Sequence, residues 1–231
     1  MINTTTMSPA AVEAEQQRFI TKVYGWMSFA LAVTGLVAFY VASQPELVNS
    51  IIKSNVFYGL LIGELLLVGI LSGWINKVSA KTAILIFILY SVLNGLTFSV
   101  IFMFFEFSSI AQTFFITGGT FAVMSIIGYT TKKDLTKAGG LLGMALIGLI
   151  IASVVNFFMK NPMMYWIITY AGILIFIGLT AYDTQKIKNM NIIGNEGTDE
   201  DTKEAVSGAL TLYLDFINLF LLFLRIFGRR K

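Results

Sequence analysis

The chain has 231 residues, 56% of them hydrophobic and 13% charged, whereas a soluble domain carries roughly 25% charged residues; composition excludes an ordinary water-soluble globule. It contains no cysteine and no histidine. This removes disulfide frameworks, the usual zinc sites and imidazole acid–base chemistry, and leaves carboxylates as the groups able to answer to physiological pH.

Residues 1–21 are polar and end near Arg18 and Lys22. They read as a cytosolic N-terminal tail with an amphipathic end, and no cleavable signal peptide is expected. Residues 22–231 read as a single transmembrane domain. Its apolar segments lie at about 23–43, 56–76, 82–105, 110–130, 139–159, 164–183 and 207–228, each near the roughly 20 residues that cross a bilayer. The predicted class is an all-α integral membrane protein of seven transmembrane helices. Short connections make sequence neighbours antiparallel neighbours. Four-residue glycine spacings at Gly59/Gly63, Gly69/Gly73 and Gly139/Gly143 predict close helix approach.

Lys and Arg placement orients the chain. With the N-terminus inside, Arg18, Lys22, Lys77, Lys81, Lys132, Lys133, Lys137, Lys186, Lys188 and Lys203 fall on the inner side, and the outer loops hold only Lys53 and Lys160. Arg225, Arg229, Arg230 and Lys231 depart from this pattern if the last segment crosses fully; a segment that dips in and returns is the alternative. The basic residues form no patch, so no nucleic-acid partner is expected. The longest inner connection, about 184–206, holds GNEGTDEDTKEA, which lacks the spacing of a calcium loop. Thr198 reads as a helix cap, with Asp199, Glu200 and Asp201 in the first turn.

The last segment carries a polar stripe. Gly208, Thr211, Asp215, Asn218, Leu222 and Arg225 recur at steps of three and four and share one helix face. A carboxylate at membrane depth must face protein or water, so this helix should be enclosed. Asp183, in GLTAYDTQKIK, is the second intramembrane aspartate, and Glu64 a further carboxyl in the second segment. Two carboxylates together in a low dielectric cannot easily both ionise. Such a pair holds one shared proton, and losing it pushes the helices apart. The same pair offers a hard cation a weak, transient seat, far short of the 6–8 oxygens calcium prefers. Depth counting speaks against pairing. From Lys186, Asp183 lies about 4–5 Å inside, and from Lys203, Asp215 lies about 16 Å inside, at 1.5 Å per residue. Glu64 reads as a supporting acceptor for that site, as a partner of Arg225, or as a carboxyl bonded to a neighbouring helix. Asn94, Asn156 and Asn218 read as interhelical hydrogen-bond glue. Phe-rich IFMFFEF reads as lipid-facing.

The ending ALTLYLDFINLFLLFLRIFG, with GYTTKKDLT (128–136), SVVNFF around Asn156 and FIGLTAYDTQKIK (176–188), closely resembles the Bax inhibitor-1 family, over nearly the whole chain from about residue 18. The resemblance implies six helices around a central seventh. It also implies a pH-sensitive calcium leak channel whose sensor and gate are an aspartate pair, matching Asp183 and Asp215 by motif. A second-helix acid of the family matches Glu64. Some members carry an arginine near the end of that helix which bonds the aspartates; here the stretch reads SGWINK, with Trp74 in its place and Lys77 or Arg225 as available substitutes. Partners expected on this basis are the lipid bilayer, calcium, protons and other membrane proteins. No cofactor is expected beyond the transported calcium ion. The membrane expected for a small chain with a short tail is a bacterial inner membrane.

Enzymatic readings fit less well. An intramembrane aspartyl protease would share Tyr182-Asp183, but Leu212-Tyr213-Leu214-Asp215 is bulky where such enzymes need glycine. A rhomboid-type protease needs histidine, and a retinal protein needs a deep lysine. The alternative to a channel is a regulator of membrane proteases or stress and cell-death factors by direct contact.

Overall fold

The computed structural model describes residues 8–53 and 56–231. It is 87% helical. The elements in order are α1 (Pro9–Ala42), α2 (Pro45–Lys53), α3 (Val56–Gly73), a 3-10 turn at Ile75–Lys77, α4 (Ala80–Ser99), its one-turn continuation α5 (Ile101–Phe104), α6 (Phe107–Thr130), α7 (Thr136–Met159), α8 (Pro162–Met190) and α9 (Asp199–Phe227). Among the described residues, seven helices are long and apolar enough to cross a membrane: α1, α3, α4 with α5, α6, α7, α8 and α9.

Two boundaries move inward from the sequence expectation. Residues 9–21 of the expected tail are helical and continuous with the first apolar segment as the first turns of α1, opened by Ser8, whose hydroxyl accepts from the Ala11 N–H, with Pro9 at the first helical position. Residues 1–7 of the expected tail lie outside the described residues. The connection predicted at 184–206 shrinks to 191–198, because α8 runs on to Met190 and α9 begins at Asp199. The Thr198 cap is as expected: its hydroxyl accepts from the Asp201 N–H at 3.2 Å. The last segment is one unbroken helix of 29 residues, about 44 Å long at 1.5 Å per residue, so it does not dip and return.

Contacts group the residues into two compact units. One contains α1 to α5, the α8–α9 connection and the first half of α9; the other contains α6, α7, α8 and the second half of α9.

In the first unit, Tyr213 of α9 is fully buried, with its ring edge-on to Phe87 and Tyr90 of α4. Thr34 of α1 spends its own proton on the Ser91 carbonyl, so the Tyr213 hydroxyl, 2.8 Å away, is the donor to it. The α8–α9 connection is held by one face of α1. Glu15, Arg18 and Lys22, spaced at three and four residues, engage it in turn. Glu15 accepts from the Gly194 N–H at 2.7 Å, Arg18 grips Glu196 through two bonds of 2.7 and 2.8 Å, and Lys22 donates to Asp201 at 3.0 Å. Gly194 and Gly197 turn this connection at φ of 90° and 82°, a region costly for residues with a Cβ. The Arg18 guanidinium holds the Glu196 carboxyl below its usual range. With the folded value depressed, this contribution is present above the ordinary carboxylate range and lost only as pH falls into acid; it is constant across neutral pH.

In the second unit, Ile173, Phe176 and Leu179 of α8 pack on Leu219, Leu222 and Phe223 of α9. Phe114 and Phe121 of α6 pack edge-on to Phe216. Two glycines bring helices against α8. A Cβ on Gly128 of α6 would strike the backbone of Ala181, and one on Gly139 of α7 would strike the Tyr182 ring. The four-residue glycine spacings do not behave as predicted. Gly59, Gly69, Gly73 and Gly143 face open space, Gly63 makes an ordinary contact with Leu93, and only Gly139 is a close approach. The IFMFFEF stretch does present Met103, Phe104 and Phe107 outward.

The two kinds of glycine in α6 give opposite expectations. Gly128→Ala forces α6 off the Ala181 carbonyl and lowers the thermal stability of the detergent-solubilised chain by about 1–3 kcal/mol. Gly118→Ala, where nothing lies within 4 Å, leaves it unchanged or raises it by up to about 1 kcal/mol.

Candidate functional site

Asp183 of α8 and Asp215 of α9 belong to the same unit, and both are buried, at 8% and 5% exposure. Their carboxyls are hydrogen-bonded to one another, side chain to side chain. A carboxylate only accepts, so this bond requires a proton on one of the two groups. Oδ2 of Asp215 is fully buried, and no N–H or hydroxyl among the described residues donates to it, which leaves the proton held with Asp183 as its available donor.

The depth mismatch disappears because Lys186 and Lys203 do not mark one plane. Asp183 lies seven residues before the end of α8, about 10 Å, whereas Asp215 lies sixteen residues after the start of α9, about 24 Å. The extra length of α9 is its polar start, where Asp201 and Thr202 bond Lys22 of α1. Counting from a charged residue assumed that this start lay at the membrane surface.

The rest of the α8 segment fixes Asp183 from both sides. Gly128 and Gly139 abut its neighbours Ala181 and Tyr182. Two residues further on, the Gln185 amide clamps the α6–α7 connection: its oxygen accepts from the Leu135 N–H at 2.8 Å and its nitrogen donates to the Lys133 carbonyl at 2.9 Å. Lys188 donates to the Tyr129 carbonyl at 3.1 Å and lies 4.5 Å from the centre of its ring. The stretches GYTTKKDLT and AYDTQKIK are thus joined residue by residue. In that connection Asp134 accepts from the Thr136 N–H and hydroxyl, and these bonds hold its exposed carboxyl below the usual range.

The supporting residues fall elsewhere than expected. Glu64 accepts from the Thr97 hydroxyl of α4 at 2.6 Å, the interhelical bond considered for it. Asn218, one turn beyond Asp215, donates to the Leu214 carbonyl of its own helix at 2.8 Å; Asn94 donates to Tyr90 of its own helix, and Asn156 accepts from Asn161 at the end of α7. None of these three bonds joins separate membrane-spanning helices, so the glue role assigned to the asparagines is corrected. Each amide satisfies a nearby backbone group instead. Arg225 lies ten residues beyond Asp215, about 15 Å along α9, with its guanidinium 5.1 Å from the centre of the Tyr165 ring. It therefore does not bond the aspartates. Lys77 sits over Trp74, at 5.7 Å. Burial of α9 is not confined to the polar stripe: 61% of its most apolar window is buried, against none for α7.

Sequence reasoning missed Thr97, Tyr165 and Gly128, and it named Gly139 without its partner Tyr182. Gly128 and Tyr182 each stand inside a quoted motif, and Gly139 lies three residues past one. The signal for Gly128 was a small residue inside a motif, not a spacing between glycines.

A family model described as "Inhibitor of apoptosis-promoting Bax1" matches residues 16–231. The chain is 49% identical over 217 residues to the inner membrane protein YbhL of Escherichia coli strain K12, covering 93% of each chain. It is 44% identical to an uncharacterised protein of Borreliella burgdorferi, covering 94% of each, and 37% identical to the uncharacterised protein RP147 of Rickettsia prowazekii, covering 99% of this chain and 96% of that one. With seven membrane-length helices, these matches describe a multi-pass bacterial membrane protein.

The Glu64 contact has its own test. Thr97→Val leaves a half-buried carboxyl oxygen without its donor and lowers thermal stability by about 1–3 kcal/mol, while Thr97→Ser, which keeps the hydroxyl, costs less.

Proposed function

The chain belongs to the Bax inhibitor-1 family, and from that premise we propose that it is a pH-sensitive calcium leak channel gated by Asp183 and Asp215. The observation that carries this reading is the buried carboxyl–carboxyl hydrogen bond between α8 and α9. With one proton present, the bond ties the two helices together. With none, two like charges face each other; at 4 Å and an effective dielectric of 20 they repel by about 4 kcal/mol. That is comparable with the few kcal/mol separating two conformations of a protein, so deprotonation is enough to favour a parted state.

The parted state exposes two carboxylates to a cation. Two are too few to hold calcium firmly, which suits passage down a gradient and not storage. Once the proton has left, the buried Oδ2 of Asp215, to which no N–H or hydroxyl among the described residues donates, is open to such an ion or a water that accompanies it. In this reading the N-terminus is cytosolic, and the last helix is the axis that the other six enclose.

Calcium flux into liposomes containing the full chain therefore rises as pH is raised from 5 to 8. In Asp215→Asn the amide donates to Asp183 at every pH, so flux stays low and its pH dependence flattens. A variant whose flux follows the parent across that range removes the gating role; a parent without calcium flux removes the channel reading itself.

A further inference from the structure

At the end of α9 away from Asp199, the second unit holds a cavity of about 570 Å³ between the end of α7, the start of α8 and the last turn of α9. Its polar lining includes Asn156, Lys160, Tyr165, Arg225 and Arg230, and no lining residue is acidic. Among the described residues none of the three cations has an ion-pair partner; the carboxylates that do pair with Lys or Arg are Glu196, Asp201 and Glu200, all in the other unit. The Arg225 guanidinium is held over the Tyr165 ring. This orients a planar fork of donors without consuming it.

The surroundings carry side chains of the kinds that gather at membrane interfaces. Trp166 stacks on Tyr170 at 5.9 Å, and both are partly exposed, as are Phe157, Phe158 and Met159 beside the cavity. Trp and Tyr gather at the headgroup level of bilayers. A cationic pocket opening beside an apolar wall matches an amphiphile with an anionic phosphate and acyl chains. A free anion would use the cations and leave the wall without a role.

We propose that this cavity binds the phosphate of an anionic phospholipid headgroup, with Arg225, Arg230 and Lys160 supplying the charge and the exposed aromatic wall receiving the acyl chains. The site lies about 15 Å along α9 from Asp215 and is independent of the channel reading.

The test is lipid retention by the full-length chain in detergent. Native mass spectrometry is run with phosphatidylglycerol and phosphatidylcholine of identical acyl chains, and a parallel thermal-shift arm uses inorganic phosphate alone. The parent should retain phosphatidylglycerol in preference. Lys160→Gln and Arg230→Gln, both at exposed positions and so compatible with folding, should each weaken the preference about fivefold, and Arg225→Gln by at least as much, with partial rescue in Arg225→Lys. Equal retention of the two lipids by the parent would overturn the proposal, as would a preference unchanged in the Lys160→Gln, Arg230→Gln double variant. Stabilisation by inorganic phosphate equal to that by phosphatidylglycerol would mark a free-anion site and also overturn it.

Discussion

A hydrogen bond between two carboxyl groups exists only while a proton lies between them. Asp183 and Asp215 make that bond inside a membrane-length pair of helices, where both side chains are almost wholly removed from solvent. Neither group has an ion-pair partner among the described residues; the charge of Lys186, one turn along α8, acts on Asp183 only from a distance, and the one cation further along α9, Arg225, is engaged with Tyr165. The proton therefore does what a counter-charge does elsewhere in proteins: it lets acidic groups stay buried. That dependence on one titrating atom is what the proposed pH response rests on.

The surrounding structure makes the pair's geometry narrow. Gly128 and Gly139 let α6 and α7 close onto α8 at the two residues before Asp183, and Gln185 and Lys188 fasten the next turn to the α6–α7 connection. A small sideways shift of α8 would have to break several of these contacts together. Packed elements of this kind have discrete alternatives more readily than gradual ones. The ion pairs between α1 and the α8–α9 connection contribute differently. Arg18 and Glu196 remain charged across neutral pH, so they hold the connection without adding a neutral-pH response of their own.

Much of this was legible in the sequence, for identifiable reasons. Runs of apolar residues near bilayer length fix helices regardless of their neighbours, and the seven predicted segments appear with shifted ends. The aspartates stood out because charge at membrane depth is costly. What could not be read was depth and partnership. Lys203 looked like a surface marker level with Lys186, yet α9 starts about 24 Å along its axis from Asp215 and its first turn is bonded to Lys22 of α1, so the counting set Asp215 too far from Asp183. Asn94, Asn156 and Asn218 looked like interhelical hydrogen-bond glue, but an amide can satisfy its own backbone more cheaply. Paired glycines suggested helix crossings, whereas the actual close approaches depend on which side chain stands opposite, as Tyr182 does for Gly139. Those facts belong to tertiary structure and leave no periodic trace.

The shared proton can be seen directly. Infrared spectra of the full chain near neutral pH should contain a protonated carboxyl stretching band that disappears equally in Asp183→Asn and in Asp215→Asn, since either substitution leaves a single carboxylate accepting from an amide. A band absent from the parent, or one that survives either substitution, would contradict a proton held in common by the two side chains.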